Sequence, residues 1–534
     1  MFNITDHFSR TLYFILFQIL ICIFSLRLSG QNNYWVFLKD KHRCEFDPYK
    51  YFDSKALERR VINNIPLFDS SDFPVNQDYV SLITGLVEKA DFQSRWFNAI
   101  AVDAYPDQIC LVSELPFVRE VQLCETSGNN LCNVSTDTDI FENFPELLDE
   151  QISSMQGEFF SKGGITGKGV RIAVFDAGFP DVDTHKAFRH LRENGRIIKT
   201  HDFVKNRENV YSKGMHGRMV LSCITGLYDG KKIGLATDAE FLLARTEHTL
   251  IEPFSEEKNW LAAAEWADKN GAQIINSSLG YYYHRYFNDQ MNGKSSLVAR
   301  AATMAARKGI LVVTAMGNEG DGNWKFLVTP ADADSVLSVG GINPNTRHHI
   351  SFSSYGPTSD KRMKPNVSAF GVAVVASSDS LEISQGTSFS TPLVCGFAAC
   401  VLQIHPEYSN MKLLEEVEKS GTLYPYFDYA HGFGIPQAGY FTGGKKQNND
   451  TSLEISLSND SLFIKINPGL IRTDSLSYLY YHIRNRQGFI EKYAVLKVNN
   501  ENVLQIPVDL LKNDEVVMVH YLGYSKEITL KDFN

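Results

Sequence analysis

Gln385-Gly386-Thr387-Ser388-Phe389-Ser390-Thr391-Pro392 runs directly into the apolar stretch Leu393-Val394-Cys395-Gly396-Phe397-Ala398-Ala399. A glycine turn followed by a helix-compatible run places Ser388 at the mouth of a helix. Backbone N–H groups at a helix start have no intrahelical partner and carry partial positive charge. A serine there can attack a carbonyl while its own N–H helps to hold the oxyanion that forms. The same residue would serve equally well as an ordinary N-cap. The octapeptide alone leaves both roles open, and the rest of the chain has to decide.

Serine is a weak nucleophile until a base takes its proton, and the base needs a carboxylate to orient it. Upstream, Val170-Arg171-Ile172-Ala173-Val174-Phe175 reads as a buried strand ending in Asp176-Ala177-Gly178. The carboxyl end of a parallel strand is where such sheets build their sites. Gly214-Met215-His216-Gly217-Arg218 leads into another apolar run and puts His216 in the first turn of a helix. The strand 310–315 ends in Met316-Gly317-Asn318-Glu319-Gly320, where a side-chain amide can donate to an oxyanion. Singly, Asp176 reads as a strand-end cap, His216 as a surface histidine and Asn318 as a turn residue. Together, in this order and each at a strand end or helix start, they form a catalytic set.

With these four motifs the chain resembles the subtilisin-like serine peptidases, the subtilase family, over about residues 165–440. The order Asp, His, Ser is the one found in subtilisin. The resemblance implies that Asp176 orients, His216 is general base and acid, Ser388 is the nucleophile and Asn318 completes the oxyanion hole. In subtilisin, the type case for that donor, its loss costs about a hundred- to thousandfold in turnover. Ile275-Asn276-Ser277-Ser278-Leu279-Gly280 resembles the family's substrate-pairing strand, so Ser278, Leu279 and Gly280, with Ala315 and Gly317, are the expected substrate-binding residues. The chain departs from the pattern at Ala177, where serine or threonine is usual, at Met219, where a second histidine is usual, and at Ser390, where alanine is usual. None of these removes a catalytic group; they mark a divergent branch.

The 534 residues are 43% hydrophobic and 21% charged, which is globular and long enough for several domains. A net charge of −10 disfavours nucleic acid as a partner. Of eight cysteines, Cys124 and Cys132 are close enough to bridge, while Cys223, Cys395 and Cys400 sit in apolar helical runs as buried thiols. The adjacent His348-His349 read as surface residues, and no Cys-x-x-Cys metal pair occurs. No cofactor is required by this chemistry. Structural calcium is frequent in the resembled family, but Asp181 and Asp183 form a pair of a kind common on ordinary loops, so no ligands are assigned.

Taken in order, residues 12–26 are apolar after Arg10 and are followed by small residues, which reads as a secretory signal peptide over 1–30. Residues 31–124 carry strands at 34–38, 94–104 and 117–123 with helices at 77–88 and 107–112, an α+β module. The resemblance implies that this module is a propeptide acting as intramolecular inhibitor. Residues 125–164 are a linker and the start of the mature chain, loop-like to about 160, and suited to a processing cut. In the catalytic domain, 165–442, strands at 170–175, 241–244, 273–277, 310–315 and 336–339 alternate with helices at 216–227, 259–269, 297–308 and 388–405. Such alternation means a parallel sheet with helices on both faces. A polar linker, 443–450, leads to β-rich runs over 451–534 that read as a small antiparallel β domain.

The expected function is that of a secreted serine endopeptidase acting on protein or peptide substrates through an acyl-enzyme. The alternative is a binding or adhesion protein on a catalytically silent subtilase scaffold. Such a scaffold is free to lose its triad, and here every member is present.

Overall fold

Arg171–Asp176, Ile274–Ser277, Leu311–Ala315 and Val336–Ile342 are buried at every position. That is the signature of parallel strands covered on both faces, not of an antiparallel sheet with one wet side. The computed structural model describes residues 30–124, 144–248, 255–282, 285–444, 451–458, 460–471, 477–498, 503–512 and 514–533. The expected signal peptide, Cys132 and most of the 125–160 loop lie outside these residues. The chain divides into two compact units, one of residues 1–51, 66–129 and 253–258, the other of 52–65, 130–252 and 259–534.

The chain order begins with β1 (Asn32–Leu38) and α1 (Ser54–Ile62), the latter belonging to the second unit. The first unit continues with α2 (Gln77–Thr84), β2 (Lys89–Ser94), β3 (Ala99–Ala104), α3 (Pro106–Ser113) and β4 (Val118–Leu123). Its antiparallel sheet has the order β2-β3-β1-β4. The alternate residues Tyr34, Val36 and Leu38 of β1 join Ile100, Val102, Val80 and Ile83 in one core, the period-2 and helical patterns meeting on one face. The stretch expected as one strand over 94–104 is two, β2 and β3, because Asn98 turns the chain in a left-handed conformation (φ 49°).

In the second unit α4 (Phe144–Ser153) precedes β5 (Arg171–Asp176), β6 (Ile197–Asp202), α5 (His216–Thr225), β7 (Glu240–Arg245), α6 (Ser255–Lys269, within this unit from Asn259), β8 (Ile274–Ser277), α7 (Leu297–Arg307), β9 (Leu311–Ala315), β10 (Val336–Ile342) and β11 (Val367–Phe370). The seven strands pair in parallel in the order β11-β10-β9-β8-β5-β7-β6. A hairpin, β12 (Val372–Ala376) and β13 (Leu381–Gln385), delivers the chain to α8 (Thr387–Ile404), followed by α9 (Asn410–Lys419). Helix α8 packs along β9, β10 and β11 and beside α5. It is apolar and long enough to cross a membrane, but 83% of it is buried, as suits a core helix. Cys395 and Cys400 of α8 and Cys223 of α5 are all buried.

Helix α4 replaces part of the loop expected before residue 160. It is fixed by Gln151, fully buried, whose amide donates to the Ile233 carbonyl (2.8 Å) and accepts from the Val374 N–H (2.8 Å). His348 and His349, expected on the surface, are half-buried. The ring of His349 stacks on Tyr355 with centroids 4.2 Å apart, and the backbone N–H of His349 donates to Nε2 of His431 (2.9 Å). Burial, helped by the neighbouring histidines His431 and His348, lowers its pKa to about 3. Beyond the linker, β14 (Leu453–Ser458), β15 (Ser461–Ile466), β16 (Tyr478–Arg484), β17 (Ile490–Lys497), β18 (Val503–Pro507), β19 (Val516–Tyr521) and β20 (Tyr524–Ile528) form two antiparallel sheets, β14-β15-β18 and β17-β16-β19-β20, around a shared core. Tyr426 donates to the Tyr481 carbonyl (3.2 Å) and joins this domain to the segment after α9.

Candidate active site

The site lies at the carboxyl edge of the parallel sheet. Asp176 is the last residue of β5 and fully buried. One of its oxygens accepts from the N–H of Ala177 (2.7 Å), so the residue that stands where a hydroxyl is usual still orients the carboxylate through its backbone. His216 opens α5, and its Nδ1 faces both Asp176 oxygens at 2.9 and 3.0 Å. With Nδ1–H donating, Nε2 is the basic nitrogen of the neutral ring. Two glycines permit this approach. A Cβ on Gly217 would come 2.3 Å from the Gly178 carbonyl oxygen and 2.9 Å from Asp176 Cβ, and Gly178 itself (φ 145°) presses on the Lys213 carbonyl. Burial disfavours the imidazolium, but the charge and hydrogen bond of Asp176 and the charge of Glu247 outweigh it, and the His216 pKa is raised.

Ser388 is the second residue of α8, behind Gly386 in an extended positive-φ conformation (φ 141°). Its neighbours tie it to the other groups. Thr387 donates through both N–H and Oγ1 to Asn318 Oδ1, each at 2.9 Å, and the Phe389 ring lies 5.8 Å from the His216 ring. Thr387 thus occupies the Oδ1 of Asn318 and not its NH2 half. The Ser388 hydroxyl donates to the Ser278 carbonyl (3.2 Å) and not to His216. Active-site hydrogen bonds are often unformed without substrate.

The sequence reading missed one feature here. Pro392, inside α8, has no N–H to give the Ser388 carbonyl four residues back. The Ser278 hydroxyl donates to that carbonyl instead (2.9 Å). Ser278 and Ser388 thus bond each other reciprocally, and the signal was the proline four residues after the serine. Of the other expected substrate-binding residues, Leu279 and Ala315 are buried, Gly280 abuts Val328, and Gly317 (φ 106°) lies under Ser354. Ser390 is buried and donates to the Phe370 carbonyl (3.0 Å). The Met219 side chain packs against the large core. Glu319 donates its N–H to the Ser354 hydroxyl (3.1 Å).

Asp181 is paired with the buried guanidinium of Arg218. That pairing neutralises one of the two carboxylates considered for calcium, and among the described residues no cluster of three or more metal-ligating side chains occurs. The Asp181–Asp183 pair therefore does not fit a calcium site.

Comparison with known proteins agrees with this architecture. The profile of the subtilase family matches residues 167–434, and that of the peptidase S8 propeptide domain of Bacteroidota matches residues 33–138. The chain is 29% identical to subtilisin E of Bacillus subtilis (strain 168) over 304 residues, 56% of this chain and 73% of that protein. It is 30% identical to a subtilisin of Bacillus pumilus over 291 residues, 54% of this chain and 96% of that one. To alkaline elastase YaB of Bacillus sp. (strain YaB) it is 29% identical over 276 residues, 51% of this chain but only 64% of the elastase. The parallel sheet with its carboxyl-edge site is of the serine-peptidase class. The chain belongs to the subtilase family.

Proposed function

We propose that the protein is a secreted serine endopeptidase made as a zymogen, with Asp176, His216 and Ser388 as its triad. The supporting observation is that four separate elements bring Asp176, His216, Asn318 and Ser388 to one sheet edge, with His216 held on Asp176 at 2.9 Å. His216 Nε2 takes the Ser388 proton as Oγ attacks the scissile carbonyl. The Asn318 NH2 and the Ser388 N–H hold the oxyanion, and His216 then protonates the leaving amine. Water releases the acyl-enzyme by the same route reversed. The segment Ser278-Leu279-Gly280 pairs with the substrate backbone, with Ala315 and Gly317 opposite. Secretion rests on the apolar stretch 12–26, and the span 33–138 acts as propeptide and inhibitor.

The test is a fluorophosphonate probe on the mature protein, with the adduct mapped by mass spectrometry. Ser388 should carry the label, and Ser388→Ala should abolish labelling and reduce peptide cleavage to a residual rate. Residual rate in that variant should be about a thousandfold above water, from oxyanion hole and binding alone. Near wild-type turnover in Ser388→Ala would end the serine-peptidase reading.

A further inference from the structure

Helix α1 lies within the span matched by the propeptide profile, yet it belongs to the second unit, the one that holds the triad. It is seated at the amino edge of the parallel sheet. Its neighbours are Arg171, the first residue of β5, the turn before β8 and the turn before β9, so it occupies the pole opposite the catalytic residues. The seat is built from polar chemistry. Arg59 and Arg60 are 2% and 1% exposed, and both pair with the Asp268 carboxylate of α6, Arg60 at 2.8 Å. The Arg59 guanidinium also donates to the carbonyls of Ala272 and of Lys308, the latter at 3.0 Å. Adjacent arginines sharing one buried acid, with carbonyls taking two further donors of Arg59, make a directional grip of the kind a guanidinium fork provides.

The backbone of the catalytic body is shaped to the same helix. Gly271 and Gly309 end the helices before β8 and β9 at positive φ (75° and 84°). A Cβ on Gly271 would lie 2.8 Å from Lys55 Cβ, and one on Gly309 would lie 2.7 Å from Asn63 Nδ2. Both turns therefore need glycine twice, for conformation and to let α1 approach. Asn63 also accepts from the N–H of Asn410 at the start of α9 (2.9 Å).

We propose that this socket is a docking site for the propeptide that does not involve the active-site cleft, and that it keeps the severed propeptide on the catalytic body until α1 leaves. The inference rests on the propeptide reading above. Cutting the linker removes the covalent tie but none of the Arg59, Arg60 and Asp268 contacts. Release then requires all three charged groups to part together, because removing one partner leaves another charge buried and uncompensated.

The experiment uses the full chain as Ser388→Ala, with the recognition sequence of a foreign, site-specific protease placed between residues 125 and 143. After the foreign cut, gel filtration followed by intact-mass analysis should find both fragments in one peak. Hydrogen exchange of the α1 amides should stay within about tenfold of the uncut chain. The pair Arg59→Ala and Arg60→Ala should release the fragment at least tenfold faster. Should that variant fail to fold, Asp268→Asn and the exchange measurement on the parent carry the test. Loss of α1 protection on cutting, or release from the parent as fast as from the variant, overturns the proposal. Failure of the propeptide reading is separate, and appears as a wild-type chain that is never cut in its linker.

Discussion

Asn318 is held by its carbonyl oxygen, which accepts twice from Thr387. The amide is therefore oriented before any substrate arrives, and in the proposed role its NH2 would meet a full charge only in the transition state. Asn318→Ala should lower kcat with KM nearly unchanged, by about 3 kcal/mol of barrier stabilisation, readable in steady-state kinetics on a peptide substrate. An effect on KM alone would make Asn318 a pocket wall. His216 has a second readout. It must be neutral to accept the Ser388 proton, and its pKa stands above the ordinary 6.5. The acid limb of kcat/KM should therefore have its midpoint above 6.5, with activity lost as pH falls through it. Glu247 contributes to raising that pKa. Removing its charge in Glu247→Gln lowers the His216 pKa, so the acid limb should move to lower pH. A limb that stays in place would remove Glu247 from the electrostatics of the site.

At the scale of elements, the meeting of β5 and α5 depends on Gly217. Its missing Cβ lets the first turn of α5 rest on Asp176 and Gly178. Gly217→Ala should push that turn away, lengthen the His216–Asp176 contact and lower kcat. Overpacking of this kind costs about 1–3 kcal/mol, or about 2–4 °C of Tm per kcal/mol for a domain of this size. Unchanged melting and turnover would show that the turn yields freely. The same elements explain what the sequence reveals. Strands β5, β7, β8, β9 and β10 are legible because each is an apolar run closed by a turn signal. Edge strand β6, Ile197-Ile198-Lys199-Thr200-His201-Asp202, escapes because only part of it is covered, and β11 because Val-Ser-Ala-Phe is too short to stand out. Helix α1 escapes for a stronger reason. Its buried positions include Arg59 and Arg60, and a search for apolar periodicity looks past a face built from arginine. The proposed catalytic residues are legible because local turn chemistry fixes them. The hydroxyl direction of Ser388 is not, since a rotamer is set by what surrounds it.

At the scale of the whole molecule, the position of the activating cut is constrained from both sides. Strand β4 ends at Leu123 as a paired member of the first unit's sheet. On the other side, α4 begins at Phe144 and belongs to the triad-bearing unit, fixed there by the buried amide of Gln151 between Ile233 and Val374 and by Glu150 paired with Arg347 at 3.0 Å. A cut within α4 would strip the catalytic body of part of its own core, Leu147 and Leu148 included. The sequence alone allows processing anywhere from about Leu123 to Glu150; a cut that spares α4 falls before Phe144. If the enzyme makes the cut itself, Ser388→Ala should accumulate as the longer precursor in a host that supplies no other protease. The wild type should yield a mature chain whose N-terminus falls between residues 124 and 144 and which retains Gln151. N-terminal sequencing of the secreted protein, run beside the variant, reads this directly. A mature, active chain that begins near Gln31 and still carries Trp35 would make the first unit a permanent domain. That result would leave the triad untouched, because nothing in the geometry of Asp176, His216 and Ser388 depends on where the chain is cut.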